Sequence, residues 1–74
     1  MTKSDFIRMF GIEVYNDVKT WKKEIDDVEI YSSIEDIEED YGVQLNDAND
    51  IFEHFGNHVR AVVATGDFII DKKF

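Results

Sequence analysis

A chain of 74 residues stands near the size at which a single hydrophobic core only just offsets the entropy of ordering the backbone, so most of its large apolar residues are needed inside. Six Phe, three Tyr and one Trp exclude a disordered acidic tail, the absence of cysteine excludes a disulfide framework and any thiolate metal site, and no apolar run reaches membrane-spanning length. The net charge of −9 is concentrated: twelve acids fall from Glu24 through Glu53, and no Lys or Arg occurs between Lys23 and Arg60. Such a block repels nucleic acid and anionic lipid, which argues against direct contact with either, and it favours a basic protein surface.

The opening MTKSDFIRMF carries Lys3, Asp5 and Arg8 where a signal peptide would be apolar, so a cytoplasmic chain is expected. Thr2 or Ser4 can cap a first helix through Phe10, with Phe6, Met9 and Phe10 as its apolar contacts and Gly11 as its stop. Ile12 to Tyr15 reads as a brief strand. A helix capped by Asn16 or Asp17 follows, in which Val18, Trp21 and Ile25 fall at i, i+3 and i+7 and place Trp21 in the core. Val28 to Tyr31 reads as a second strand. Ser32 with Glu35 fits the capping-box pattern, and Ile34, Ile37 and Tyr41 form the apolar stripe of a helix that Gly42 ends.

Asn46 can cap the next helix, with Ala48, Ile51, Phe52 and Phe55 inward and Gly56 closing it. Asn57 can open a further helix through His58, Val59, Val62 and Val63 up to Gly66, although three valines lower its helix propensity. DFIID, Asp67 to Asp71, reads as the last strand. The expectation is one α+β domain over residues 1–74, with four or five short helices and a small sheet of about three short strands. An all-α bundle is the alternative. The predicted core is Trp21, Ile34, Ile37, Ile51, Phe52, Phe55 and Val62.

Two stretches share a skeleton at a spacing of sixteen residues: EVYNDVKTWKKEI from Glu13 and EIYSSIEDIEEDY from Glu29. The first carries Lys19, Lys22 and Lys23 where the second carries Glu35, Asp36, Glu38 and Glu39. The shared apolar positions are structural on this reading, and the reversed charges mark the solvent face, which the fold does not dictate.

Clustered carboxylates suggest acid–base catalysis or calcium, and neither pattern is met. A carboxylate pair needs one desolvated member beside a cleft, whereas these acids fall on outer faces. From Asp47 the sixth residue is Phe52 and the twelfth is His58, against the glycine and glutamate of an EF-hand loop, so Asn49, Asp50 and Glu53 are not expected to hold calcium. His54 and His58 are four apart, but Gly56 and Asn57 break the helix between them, and both read as solvent-facing. There is no nucleophile motif and no glycine-rich phosphate loop. No catalytic residue, metal or cofactor is expected.

The acids remain to be explained. Glu35, Asp36, Glu38, Glu39 and Asp40 fill nearly every position of their helix that Ile34, Ile37 and Tyr41 leave, and Asp47, Asp50 and Glu53 form an i, i+3, i+6 stripe on the next. Like charges at these spacings destabilise a helix by a few tenths of a kcal/mol per pair, where interspersed lysines would stabilise it. Solubility is met by scattered acids and requires no such block. Carboxylates about 5–6 Å apart also match the scale of duplex phosphates, which suggests DNA mimicry. The stretches SSIEDIEEDYG and FGNHVRAVVATGDFII resemble the C-terminal part of ArdA antirestriction proteins, acidic DNA mimics of mobile elements that inhibit type I restriction–modification enzymes. That resemblance implies a phage or mobile-element inhibitor of a DNA-binding or DNA-processing protein, with Glu35, Asp36, Glu38, Glu39 and Asp40 in place of phosphates. The alternative is a toxin-immunity protein or small acidic adaptor that adds Tyr31 and Tyr41 as aromatic anchors against one basic partner. The sequence leaves the oligomeric state open.

Overall fold

A computed structural model describes residues 2–21 and 28–72. The described elements run, in chain order, α1 (Lys3–Phe10), α2 (Ile12–Lys19), β1 (Val28–Tyr31), α3 (Ile34–Tyr41), α4 (Ala48–Phe55), a one-turn 3-10 helix (Gly56–His58), β2 (Val59–Val62) and β3 (Asp67–Asp71). The three strands form an antiparallel sheet of order β1-β3-β2. The α+β expectation therefore holds, with four α-helices among the described residues.

The run Phe68-Ile69-Ile70 explains why β3 is central. Successive side chains of a strand point to opposite faces, so an unbroken apolar run belongs to a strand covered on both. Ile70 and Phe68 join Tyr31, Ile37, Leu45, Ile51, Phe55 and Val59 under α3 and α4. Ile69 joins Phe6, Val14, Val18, Val28 and Val62 under α1 and α2. The register agrees: Ile30 faces Ile69 on the α1–α2 side, and Tyr31 faces Phe68 on the α3–α4 side. Two helical layers thus flank one sheet.

Local chemistry sets the helix ends. Thr2 Oγ1 accepts from the Asp5 amide at 3.1 Å, as expected for α1. The other two caps lie one residue further on than the sequence suggested. Ser33, not Ser32, caps α3 through the Asp36 amide at 3.3 Å, and Asp47, not Asn46, caps α4 through the Asp50 amide at 3.1 Å. Gly42, at φ 66, takes the left-handed conformation that closes α3.

Three expected elements are corrected. Ile12 to Tyr15 is the start of α2 and not a strand: Gly11 at φ 95 breaks the chain after α1, and Val14 and Val18, four apart, then share one buried helical face. The helix expected from Asn16 is therefore already under way there and ends at Lys19; Ile25 lies outside the described residues. The helix expected from Asn57 is the short 3-10 turn and β2, because Val59 and Val62 are β-branched and supply β3 with its second partner. In the core, Ile37, Ile51, Phe55 and Val62 are buried as expected, and Ile34 and Trp21 are only partly so. Phe52 is 43% exposed, and Ala48 and Met9 are also exposed.

The shared skeleton does not give two copies of one structure. Glu13-Val14-Tyr15 lies in α2, while Glu29-Ile30-Tyr31 forms most of β1. Lys19 ends α2, and Lys22 and Lys23 lie outside the described residues.

Candidate functional site

The sheet sorts the charges. Glu35, Asp36, Glu38, Glu39, Asp40, Asp47, Asp50 and Glu53 all belong to α3, α4 and the cap of α4, the layer on one side of the sheet, and no Lys or Arg accompanies them. On α1 and α2, the other layer, Lys3, Arg8 and Lys19 offset Asp5, Glu13 and Asp17. One layer is strongly acidic and the other is neutral. The folded chain gathers eight of the twelve acids of the block into a single layer.

Within that layer the carboxylates divide by task. Glu38 is half-buried, and its Oε2 accepts from the Leu45 amide at 2.8 Å, which ties the α3–α4 loop to the last turn of α3. Asp50 Oδ2 accepts from the Asn46 amide at 2.8 Å while Asp47 caps the Asp50 amide, a reciprocal arrangement that fixes the start of α4. Asp40 accepts a hydrogen bond from the Tyr31 hydroxyl. These four carboxylates help to make the fold. Glu35, Asp36, Glu39 and Glu53 are exposed, and their carboxylates take no hydrogen bond or ion pair among the described residues.

Helix electrostatics divides them again. Glu35 and Asp36 lie in the first turn of α3, where the exposed amides and the helix dipole favour negative charge. Glu39 lies in the last turn, where the dipole disfavours it and no basic residue offsets it. Its side chain takes part in no hydrogen bond among the described residues. Glu39 is thus the acid that local structure explains least.

The two tyrosines proposed as anchors are not equivalent. Tyr31 is only 7% exposed and belongs to the core, its ring 6.2 Å from that of Tyr41. Tyr41 is half-buried and stacks edge-on against Phe55 at 5.0 Å. Burial first, then the hydrogen bond to Asp40 and the neighbouring charges, pushes the Tyr31 hydroxyl far above the ordinary tyrosine value of 10.0. Burial also raises Tyr41. The pair joins β1 to α3 more than it faces outward.

His54 is exposed as expected, and the His58 side chain is 42% exposed but also has a partner within the fold. Its Nδ1 lies 3.2 Å from Asp71 Oδ2, and Asp71 is buried at the end of β3. Among the described residues, no three His, Asp or Glu side chains cluster as a metal site, and no helix is long and apolar enough to cross a membrane.

One surface feature was not legible in the sequence. Phe52 stands on the flank of α4 away from Asp50 and Glu53, and with Ala48, Ala61, Val63 and Phe68 it lines an open groove of about 300 Å³ at the turn end of the β2–β3 hairpin. Its apolar character follows the stripe of α4, so position in the stripe alone does not separate Phe52 from the buried Ile51 and Phe55. No protein-family model, curated protein or solved structure matches the chain.

Proposed function

We propose that the α3–α4 layer binds the basic surface of a DNA-binding or DNA-processing protein and acts as a DNA-mimic-type inhibitor. The observation that carries this reading is the sorting of charge: eight carboxylates and no Lys or Arg occupy one helical layer, opposite a layer that is neutral. Four of those acids serve internal bonds, but Glu35, Asp36, Glu39 and Glu53 do not, and Glu39 opposes its own helix dipole. Acids retained at a cost to the helix are accounted for by a partner that pairs them. Because Tyr31 is in the core, the carboxylates and not the aromatic rings supply the contact. This supports a charge-matching inhibitor over an immunity protein built on aromatic anchors.

The binding step is pairing of surface carboxylates with Lys and Arg that otherwise hold phosphates. It needs no cofactor, and the chain does no chemistry in it. The resemblance of SSIEDIEEDYG and FGNHVRAVVATGDFII to ArdA proteins supports a phage or mobile-element counter-defence role, set in the cytoplasm. The test is capture of bacterial lysate proteins on the immobilised chain, followed by elution with duplex DNA. A mimic yields several DNA-binding proteins that the DNA displaces; a single bound protein that DNA leaves in place would instead favour the immunity reading.

A further inference from the structure

The groove between α4 and the β2–β3 hairpin opens beside the acidic layer. We propose that it receives a large apolar side chain, Phe or Leu, which the basic partner carries among its Lys and Arg residues. The inference rests on the binding role given above to the α3–α4 layer, and it adds what that partner must present.

Strand alternation fixes the side on which the groove opens. Ala61 and Phe68 are cross-strand partners, and Phe68 packs with the cluster under α3 and α4. The floor they form therefore lies on the same side of the sheet as the acidic layer. Ala48 and Phe52 of α4 make one wall, and Val63, the first residue of the hairpin turn, makes the other. Phe52 is 43% exposed and Val63 93%. Single exposed apolar residues need no explanation, but two that line one groove form a patch. Its volume of about 300 Å³ stands at the lower end of ligand pockets, which run from about 300 to about 1,000 Å³, so it has room for one or two side chains and none for a helix.

Charge selects the bearer of that side chain. Glu53 follows Phe52 on α4, about 100° further round toward the acidic flank, so a free carboxylate and the groove wall stand within one helix diameter, about 10–12 Å. The one charged residue of the lining, Asp67, is also an acid. Arg60, the base nearest in sequence to the hairpin turn, is drawn to the opposite face of the sheet, where its Nε lies 2.8 Å from Asp17 Oδ2. The groove is thus an apolar patch in an acidic setting. A nucleic acid, an anionic lipid surface or another chain of charge −9 brings negative charge to it, whereas a basic protein brings the opposite sign.

The two kinds of contact fit one ligand. Two residues of extended chain cover about 7 Å, which brings a Lys or Arg beside an anchored Phe within a side chain's length of Glu53. With Tyr31 in the core, this chain supplies the pocket and the partner supplies the anchor. The carboxylates then form the polar rim that surrounds such an anchor.

Two N-acetylated, C-amidated pentapeptides of equal charge test this, Lys-Arg-Phe-Lys-Arg and Lys-Arg-Ser-Lys-Arg, each titrated to about 5 mM against the full chain while NMR follows its amide shifts. The Phe peptide binds about five- to tenfold more tightly, as burial of about half of a Phe side chain gives, and it moves the amides of Phe52, Val63 and Phe68. Raising salt from about 0.1 M to about 1 M weakens both peptides and leaves their ratio unchanged, because screening acts on the charges alone. Phe52→Ser removes the advantage of the Phe peptide. Val63→Ser, at a position whose exposure leaves the core untouched, reduces it, and decides alone if circular dichroism shows Phe52→Ser unfolded. Glu53→Gln weakens both peptides alike. Equal affinities, or an advantage that survives the groove substitutions, would overturn the inference and leave the acidic layer's role standing. Failure of both peptides to bind, or binding of both that is indifferent to salt, would overturn it together with the reading on which it rests.

Discussion

Phe52 and Phe55 are three residues apart on one helix, and the structure assigns them opposite energetic weights. Phe55 is fully buried against Tyr41, and its ring lies among the residues under α3 and α4. Truncating it removes the transfer free energy of a whole ring and leaves an enclosed cavity, so Phe55→Ala costs about 3–5 kcal/mol. Phe52 is 43% exposed and faces an open groove. A little over half of its ring's burial is lost, about 1–1.5 kcal/mol, and no closed cavity forms. Alanine's better helix propensity returns about 0.5 kcal/mol, which leaves a net cost below about 1 kcal/mol for Phe52→Ala. Urea denaturation followed by circular dichroism measures both. A domain of this size has only about 4–11 kcal/mol of stability, so Phe55→Ala can unfold it, and Phe55→Leu keeps the comparison measurable at about 1–1.5 kcal/mol. If Phe52→Ala costs as much as Phe55→Ala, the placement of α4 on the sheet is wrong.

Three further outcomes follow from the same structure. Ser33→Ala should destabilise by about 1 kcal/mol and Ser32→Ala by a few tenths at most, with Asp47→Ala likewise exceeding Asn46→Ala, as thermal unfolding will show. Tyr31 and Tyr41 have folded pKa values raised above the unfolded value of 10.0, so their contribution is fully present below pH 10 and is lost as pH rises beyond it; denaturation midpoints should fall above that pH, less steeply in Tyr31→Phe. Glu39→Lys should raise stability by about 0.3–1 kcal/mol, because it replaces an acid by a base in the last turn of α3, and a destabilised variant would remove the dipole from the account.

Much of the fold was legible because its signals were local. The glycine stops of α3 and α4, the stripe Ile34-Ile37-Tyr41 and the run FII each announce an element without reference to the rest of the chain, whereas the caps of α3 and α4 were legible only to within one residue. What was illegible depended on partners far along the sequence. Val59 to Val62 is a strand because Asp67 to Ile70 lies beside it, and GNHVRAVV carries no alternation strong enough to say so. The triplet of acid, β-branched residue and Tyr is helix at Glu13 and strand at Glu29, the first on a buried helical face shared with Val18 and the second paired with β3. Among the acids, charge was visible and employment was not. Only the folded chain shows that Glu38, Asp40, Asp47 and Asp50 serve internal bonds while Glu35, Asp36, Glu39 and Glu53 remain at the surface.

That division indicates which acids to change. Glu38 belongs to the loop bond with Leu45 and is left alone. Glu35→Gln, Asp36→Asn, Glu39→Lys and Glu53→Lys, combined in one chain, keep every internal bond and avoid placing positive charge at the start of α3. A control chain carries Lys3→Glu, Arg8→Glu and Lys19→Glu on the opposite layer. Both are compared with the unaltered chain by capture from bacterial lysate and elution with duplex DNA, after circular dichroism has verified folding. The control should retain the DNA-displaceable proteins and the acidic-layer variant should lose them. A folded acidic-layer variant that captures the same proteins in the same amount would contradict the proposed function.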